Sequence, residues 1–243
     1  MNDFSKIDEI LSYWNLTLTN EQKEQLTAYH ALLCEWNSFM NLTAITDWDD
    51  AVLKHYCDSL SVYLLPWFQQ NVESGISVMD LGTGAGFPGI PLKIVFPNLK
   101  VTLADSLNKR IKFLNEVIHQ VGLTDVETIH GRAEELGRNE KYREKYDLCV
   151  SRAVANLSTL SEYCLPFVKV GGRFISYKAG NSEKEVHSAE GAVKKLGGRG
   201  KQSYHFLIPT TDYSRTLVEI EKIQCTKKAY PRGAGKPSKE PLL

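Results

Sequence analysis

The chain has 243 residues, of which 42% are hydrophobic and 24% charged, and these proportions exclude a protein that is disordered over its whole length. Its 29 basic and 29 acidic residues give a formal net charge of zero, so the chain lacks the overall basic excess that is typical of proteins that bind nucleic-acid phosphates. Its five cysteines form no C-x-x-C pair and no apolar run is long enough to span a bilayer, so we expect no metal site, no membrane partner and a cytoplasmic location.

Residues 1–70 are predicted to be a helical extension that packs on the rest of the chain. Thr19–Gln22 has the Thr-x-x-Gln spacing of a capping box, which marks a helix start. A second helix is expected over about 49–64, ending near Pro66. One face of the first helix carries apolar residues at alternating steps of three and four: Leu26, Tyr29, Leu33, Trp36 and Met40.

From residue 76 onward, short apolar runs predict seven β-strands. They cover residues 76–81, 100–105, 126–130, 146–151, 172–178, 201–208 and 215–223. Helical patterns separate the first five, most clearly over 108–121, which predicts parallel strands joined by right-handed crossovers. The last two strands are joined too briefly for a crossover and must be antiparallel. We therefore predict an α/β fold over 71–243: the doubly wound sheet of class I methyltransferases, with seven strands and the last one antiparallel.

A glycine-rich loop of the form Asp-x-Gly-x-Gly-x-Gly follows the first of these strands. Gly82, Gly84 and Gly86 permit a tight turn and close approach of a ligand to the backbone. Asp105 ends the next strand, where a carboxylate can hold a ribose diol. Because the spacing departs from the dinucleotide pattern Gly-x-Gly-x-x-Gly, we predict S-adenosyl-L-methionine as the cofactor.

Three other positions are candidate cofactor contacts. Asp80 either orients the glycine loop or contacts the cofactor's amino group through water, and we favour the first role. Ala133 and Glu134 follow the third strand, whose carboxyl end borders the adenine pocket in this architecture. For Glu134 the alternative is a solvated acid that stabilises a helix start.

The fourth strand runs into Ser151-Arg152-Ala153-Val154, where a methyltransferase presents groups to its substrate. The Asn/Asp-Pro-Pro-aromatic turn that accompanies methylation of exocyclic amines is absent there. Cys149 lies among apolar residues, so we expect a buried, inert thiol and not a nucleophile. An acceptor such as guanine N7 needs only alignment and charge stabilisation. Arg152 could contact the base edge, bind phosphate or form a structural ion pair.

Motifs from about residue 25 to the C-terminus resemble the glucose-inhibited division protein B family, the bacterial guanine-N7 methyltransferases of small-subunit ribosomal RNA. They are Asn41–Thr46, His55 with Asp58-Ser59, Asp80–Pro91, Asp105–Arg110, Ser151–Ala153, Tyr230–Arg232 and Lys236-Pro237. The resemblance implies transfer of a methyl group from S-adenosylmethionine to N7 of one guanine in 16S ribosomal RNA, either free or in an assembling small subunit. The family's cofactor-binding positions fall on Gly82, Phe87, Ala133, Glu134 and Arg152. Arg152 could then serve the cofactor, the base or both.

Candidate RNA contacts come from two sources. The resemblance suggests that His55 lies at the rim of the active site, and a core or helix-surface histidine is an equal alternative on the sequence alone. The stretch from Lys222 to Lys239 holds six basic residues and no acid, so its cations could contact RNA phosphates or stay solvated. The candidates are His55, Lys178, Lys227, Lys228, Arg232 and Lys236.

Two alternatives to this function remain on the sequence alone. Zero net charge slightly favours a methyltransferase that acts on a small molecule, whereas the basic C-terminal stretch and the family resemblance oppose it. A methyltransferase that acts on another RNA is a further alternative. An inactive nucleotide-binding scaffold is opposed by the intact glycines and Asp105. We expect a monomer.

Overall fold

A seven-stranded mixed sheet forms the centre of the computed structural model, which describes residues 2–152 and 155–243. The strands are β1 Ser77–Leu81, β2 Lys100–Asp105, β3 Val126–His130, β4 Tyr146–Arg152, β5 Val168–Ala179, β6 Gly198–Leu207 and β7 Ser214–Lys222. Their order across the sheet is β3-β2-β1-β4-β5-β7-β6. Pairing among β1 to β5 is parallel, and β7 pairs antiparallel with both β5 and β6. The predicted sheet, with its last strand antiparallel, is confirmed.

The direction of chain winding reverses at β1, because β1 pairs with β2 on one side and with β4 on the other. At such a point the loops at the carboxyl ends of the strands leave in opposite directions and open a crevice. The glycine loop and the end of β4 both lie at this reversal. The predicted contributions of Ala153 and Val154 lie outside the described residues.

Helices cover both faces of the sheet. They are α1 Ser5–Ser12, α2 Asn20–Met40, α3 Trp48–Ala51, α4 Asp58–Leu60, α5 Pro66–Asn71, α6 Gly89–Val95, α7 Asn108–Val121, α8 Ala133–Leu136, α9 Leu157–Cys164, α10 Glu183–Lys195 and α11 Lys236–Lys239. None of the described helices is long and apolar enough to cross a membrane.

The capping box at the start of α2 is formed as predicted. Thr19 Oγ1 accepts a hydrogen bond from the Gln22 amide at 3.2 Å, and Gln22 Oε1 accepts one from the Thr19 amide at 2.9 Å. Gln22 Nε2 also donates to the carbonyl of Val95 at 3.0 Å. The same side chain therefore caps α2 and ties its first turn to the end of α6.

The predicted second helix exists but is irregular. A continuous helical stretch runs over 48–64, with a π-helical segment at Val52–Cys57 and a 3₁₀ turn at Ser61–Leu64. The wider π-helical turn lies directly before Asp58, and π segments of this kind occur often at functional sites. Pro66 starts α5, at the position where its missing amide proton costs nothing.

The N-terminal helices share one hydrophobic core with the sheet. Leu26, Tyr29 and Leu33 on α2 are fully buried, and they belong to the same cluster as Val78 of β1 and Leu114 of α7. Trp36 and Met40, further along the same face of α2, are partly buried against this cluster. The division of the chain near residue 70 stays a prediction.

Two strands begin earlier than their sequence patterns predicted. β5 starts at Val168 and β6 at Gly198, whereas apolar runs were recognised only from residues 172 and 201. Within β5, a Cβ atom on Gly172 would lie 2.5 Å from the carbonyl oxygen of Asp147, so close approach of β4 requires glycine there. In β6, the pairing with β7 shifts register between Gly200 and Gln202. Both strands thus begin with segments that contain glycine and lie before the recognised apolar runs.

Candidate active site

A cavity of about 350 Å³ opens at the carboxyl ends of β1, β2 and β3, beside the reversal of the sheet. Its lining brings together four predicted cofactor residues: Gly82, Asp105, Ala133 and Glu134. A larger cavity of about 580 Å³ lies between α10 and the β6–β7 pair, and none of the predicted site residues lines it. We therefore take the smaller cavity as the candidate cofactor site.

The glycine loop is held tightly against β2. The amides of Gly82 and Thr83 both donate to the carbonyl of Ala104, at 2.9 and 3.2 Å. Gly84 has a φ of +62°, in the left-handed region that favours glycine, and its amide donates to Asp105 Oδ2 at 3.0 Å. A Cβ atom on Gly86 would lie only 2.6 Å from a side-chain carbon of Ile90. The loop conformation therefore requires glycine at both of these positions.

Asp80 makes the contacts of a loop-orienting residue. Its Oδ2 accepts hydrogen bonds from Thr83 Oγ1 at 2.7 Å and from the Gly89 amide at 2.8 Å, which ties the loop to the first residue of α6. The side chain is fully buried, and burial raises the pKa of this carboxyl to about 7. Its other oxygen, Oδ1, has no hydrogen-bond partner among the described residues. Asp80 therefore orients the loop and retains one free acceptor.

Asp105 lines the cavity, but its carboxylate is already bonded within the protein. Its Oδ2 accepts from the Gly84 amide and from Arg110 Nη1 at 3.1 Å, and its Oδ1 accepts from the Leu107 amide at 2.9 Å. Only 3% of the residue is exposed. A ribose diol would therefore share this carboxylate with three protein donors. The position of Asp105 in the sequence did not reveal that these donors compete with the ribose.

Glu134 is buried at the start of α8 and is not the solvated helix-start acid of the alternative interpretation. Its Oε1 accepts a hydrogen bond from the Gly235 amide at 2.8 Å, across 101 residues of sequence. Its neighbour Ala133 begins α8 and also lines the cavity. The C-terminal segment that carries Gly235 thus reaches the predicted adenine side of the site.

Arg152, at the end of β4, is held by groups from the irregular N-terminal helix. Its Nη1 donates to Asp58 Oδ2 at 3.0 Å and to the Lys54 carbonyl at 2.9 Å, and its Nη2 lies 3.0 Å from His55 Nδ1. The guanidinium carbon lies 5.0 Å from the centre of the Phe87 ring, a cation–π distance. Of the roles considered for Arg152, the ion pair is present.

His55 is built into this cluster and is neither a free rim residue nor an isolated core histidine. Its ring stacks on Phe87, with 4.2 Å between ring centres, and its Nε2 lies 3.0 Å from Thr43 Oγ1. Burial, and then the charge of Arg152, lower the pKa of His55 to about 3. The ring is therefore neutral near pH 7. Because Nδ1 faces the donor Nη2, we assign the ring proton to Nε2.

Asp58 is a site residue to which the sequence assigned no role. Only 5% of it is exposed, and its two oxygens bind two arginines: Oδ2 accepts from Arg152, and Oδ1 accepts from Arg215 Nε at 2.9 Å. Arg215 lies on β7, so one carboxylate joins the N-terminal helix to two strands of the sheet. The available signal was the motif of His55 with Asp58-Ser59, which carried part of the family resemblance.

The basic C-terminal candidates fall into two groups. Lys227, Lys228 and Lys236 are exposed. Arg232 differs from its prediction, because it forms a two-pronged ion pair with the fully buried Glu162, at 2.6 and 2.9 Å. The basic run could not reveal this partner, which lies 70 residues away.

Lys178 also differs from its predicted role as an RNA contact. Its Nζ lies 2.7 Å from Glu185 Oε1 and 2.9 Å from the Ala155 carbonyl. Its charge is thus already paired with an acid on α10. The sequence around Lys178 gave no indication of its pairing with Glu185.

The thiol of β4 is buried as predicted. Cys149 is fully inaccessible, and burial raises the pKa of its thiol well above the ordinary value. A protonated, inaccessible thiol cannot attack a pyrimidine ring. Within residues 2–152 and 155–243, no group of three or more His, Cys, Asp or Glu side chains could hold a metal ion.

The fold and the cavity at the glycine loop together define a class I methyltransferase. The family model described as "GidB: rRNA small subunit methyltransferase G" matches residues 22–213. The chain therefore belongs to the GidB family.

Relatives with the name "Ribosomal RNA small subunit methyltransferase G" align over nearly the whole chain. One from Lachnoclostridium phytofermentans is 50% identical over 243 residues, which cover 100% of this chain and 99% of that protein. One from Acetivibrio thermocellus is 51% identical over 231 residues, covering 95% and 93%. Among solved structures, M. jannaschii TYW2 in complex with AdoMet matches with a TM-score of 0.50 and 17% identity, over 64% of this chain and 74% of that one. At that identity the likeness shows the fold alone.

Proposed function

We propose that this enzyme transfers the methyl group of S-adenosylmethionine to N7 of a guanine in 16S ribosomal RNA. One observation carries the choice of acceptor atom: beside the cofactor cavity, β4 offers a firmly held cation and a buried, protonated thiol. Guanine N7 carries an available lone pair near neutral pH, so its methylation requires neither a nucleophilic side chain nor a base. Family membership supports small-subunit ribosomal RNA as the acceptor molecule.

The residues present fit S-adenosylmethionine. The glycine loop lets a ligand approach the backbone, and the buried carboxylate of Asp80, which is not part of the cavity lining, holds that loop in place. Ala133 and Glu134 line the cavity on the side proposed for adenine, and Asp105 lies where the ribose would be held. A volume of about 350 Å³ suits a ligand of this size. When bound, the cofactor supplies an electrophilic methyl group.

The side chains contribute alignment and charge and do not transfer protons. Arg152 is held through both of its terminal nitrogens, so its charge is already in place before RNA binds and needs no reorganisation. His55 is unsuited to act as a general base, because its pKa is lowered to about 3 and its Nδ1 faces Arg152. The reaction rate then depends on how well the base is oriented toward the methyl group.

We propose that the exposed lysines Lys227, Lys228 and Lys236 contact RNA phosphates, since cations that face solvent can bind phosphate without breaking a buried ion pair. Lys236 lies 3.9 Å from Glu240, but that pair is exposed to solvent and therefore weak. A cytoplasmic location and a monomeric state belong to the same proposal. The division into an N-terminal extension and a methyltransferase domain near residue 70 is also proposed.

The test uses labelled S-adenosylmethionine with three acceptors: protein-free 16S RNA, small ribosomal subunits and a pool of small metabolites. We expect label in RNA from one or both ribosomal preparations, and strand scission at the modified base should locate it at guanine N7. Label only in a metabolite would support a small-molecule enzyme. Cofactor binding without transfer to any acceptor would support a scaffold.

A further inference from the structure

The C-terminal residues Tyr230–Glu240, here called the strap, fold back onto the methyltransferase core instead of extending into solvent. Two of them, Gly235 and Ser238, line the candidate cofactor cavity together with residues of the glycine loop and α8. A third, Pro237, is buried. The strap is therefore part of the wall of that cavity.

The strap is anchored on both sides of the point where it meets the cavity. Before that point, Arg232 pairs with Glu162 of α9, and the Pro231 carbonyl accepts a hydrogen bond from Arg138 Nε at 2.8 Å. After it, the Pro237 carbonyl accepts one from Thr159 Oγ1 at 3.0 Å. Because Glu162 is fully buried, its charge depends on Arg232 for compensation, and this dependence holds the strap in place.

A direct contact joins the strap to a predicted cofactor residue. The Gly235 amide donates to Glu134 Oε1, while Glu134 itself lines the cavity and is only 6% exposed. A buried carboxylate adopts the orientation that satisfies its donors. The position of the strap therefore fixes how Glu134 faces the cavity.

We propose that the strap is a working part of the cofactor site, which closes one wall of the cavity and orients Glu134 through the Gly235 amide. This inference rests on the proposed use of S-adenosylmethionine. Strap docking and cofactor binding then stabilise each other, since a coupling between two binding events is reciprocal. Gly235 is a positioning residue that acts through its backbone amide. The basic residues around it in the sequence gave no indication of this role.

Two glycines of the strap provide a matched pair of variants. Gly235 has a φ of +77°, which a side chain disfavours, whereas Gly233 has no such restriction; a Cβ atom added at either position meets nothing within 4 Å. Gly235→Ala should therefore shift the strap backbone without a clash, and Gly233→Ala should leave it in place. By calorimetric titration we expect Gly235→Ala to raise the dissociation constant of S-adenosylmethionine about threefold to tenfold, the loss of roughly one hydrogen bond. Gly233→Ala should match the wild type.

Hydrogen–deuterium exchange of the unmodified protein supplies a second readout that needs no variant. S-adenosylmethionine should slow amide exchange within 233–240, and Gly235→Ala should reduce that protection. The inference would be overturned if all three proteins bound S-adenosylmethionine with equal dissociation constants and the cofactor did not change amide exchange in the strap. Failure of the wild-type protein to bind S-adenosylmethionine would instead refute the proposed function, so the two failures are distinguishable.

Discussion

Arg152 and Asp58 are 94 residues apart in the sequence, yet Nη1 of the arginine lies 3.0 Å from Oδ2 of the aspartate. Both side chains are largely shielded from solvent, with 16% and 7% of their surfaces exposed. An ion pair in such surroundings fixes the position of both charges, because either one alone would be poorly solvated. The end of β4 thus receives its geometry from the N-terminal helices.

Arg152→Ala should lower the rate of methyl transfer by about a hundredfold or more, the size of effect seen when a prepositioned charged donor is removed. Arg152→Lys should recover little, because lysine lacks the planar fork that reaches Asp58 through one nitrogen and His55 through the other. Single-turnover assays with ribosomal RNA measure both. Thermal melting serves as the control for folding, and near-normal turnover in a folded Arg152→Ala protein would refute this role.

Asp105→Ala should weaken S-adenosylmethionine binding by roughly 1.5–3 kcal/mol, the range for hydrogen bonds to a charged group. The variant removes any ribose contact and also the acceptor that holds the Gly84 amide. Arg110→Met is the matched control, because it leaves the carboxylate bonded to the loop and should weaken binding less. Calorimetric titration distinguishes the two, and an unchanged dissociation constant for Asp105→Ala would exclude a role for this carboxylate in the cofactor site.

Charge reversal at Lys227, Lys228 and Lys236 should weaken RNA binding and flatten its dependence on salt. The control reverses three exposed lysines of α10, namely Lys184, Lys194 and Lys195, which changes the net charge equally. Filter binding at several salt concentrations gives the slopes. If the two triple variants show the same slope, the C-terminal lysines make no specific phosphate contacts.

Cys149→Ala should retain most of the methyl-transfer activity and lose about 1 kcal/mol of unfolding free energy, since the change removes a buried atom from the core. Urea denaturation measures the stability, and denaturing electrophoresis tests for a covalent enzyme–RNA adduct, which we expect to be absent. Loss of all activity in a folded Cys149→Ala protein would contradict a mechanism without a thiolate.

His55 should make the folded state less stable in acid. Its pKa is lowered from 6.5 to about 3, so between these values the unfolded chain binds a proton that the folded protein does not. The free energy of unfolding therefore falls as pH drops through this window, by at most about 1.4 kcal/mol per pH unit. His55→Gln cannot titrate and should show a smaller fall in urea denaturation over the same window.

Asp80 acts in the opposite direction and provides an internal reference. Its pKa is raised from 3.8 to about 7, so the folded state binds its proton more tightly, and this contribution to stability is fully present below 3.8 and is lost as pH rises to about 7. Because Asp80 is present in both proteins, the difference between the wild-type and His55→Gln curves isolates the histidine. Parallel curves would show that His55 is not the neutral, arginine-bound group described above.

The regular elements could be predicted because their signals are local. β2, β3 and α7 have the predicted bounds, since each is a short periodic run closed by a recognisable stop. The contacts of the site could not be predicted in this way. Arg232 and Glu162 are 70 residues apart, and nothing in a basic run specifies which buried acid it will meet.

The irregular helix shows a second limit of prediction from the sequence. The sequence predicted a helix over about 49–64, ending near Pro66, but it does not distinguish an α-helical turn from the π-helical one at Val52–Cys57. That segment carries Lys54 and His55 and leads directly into Asp58. The groups that hold Arg152 thus depend on a backbone detail that residue types alone do not encode.

The position of β7 between β5 and β6 leaves β6 as an outer strand of the sheet. An unprotected outer strand exposes a row of backbone amides and carbonyls that can pair with a strand of another molecule. Here β6 shifts its register against β7 between Gly200 and Gln202, which interrupts that row, and Arg199 and Lys201 at this point both pair with Glu221 of β7. Two copies that approached through this strand would not align their backbones across the shift. The register shift near the start of β6 therefore disfavours edge-to-edge aggregation of the folded protein.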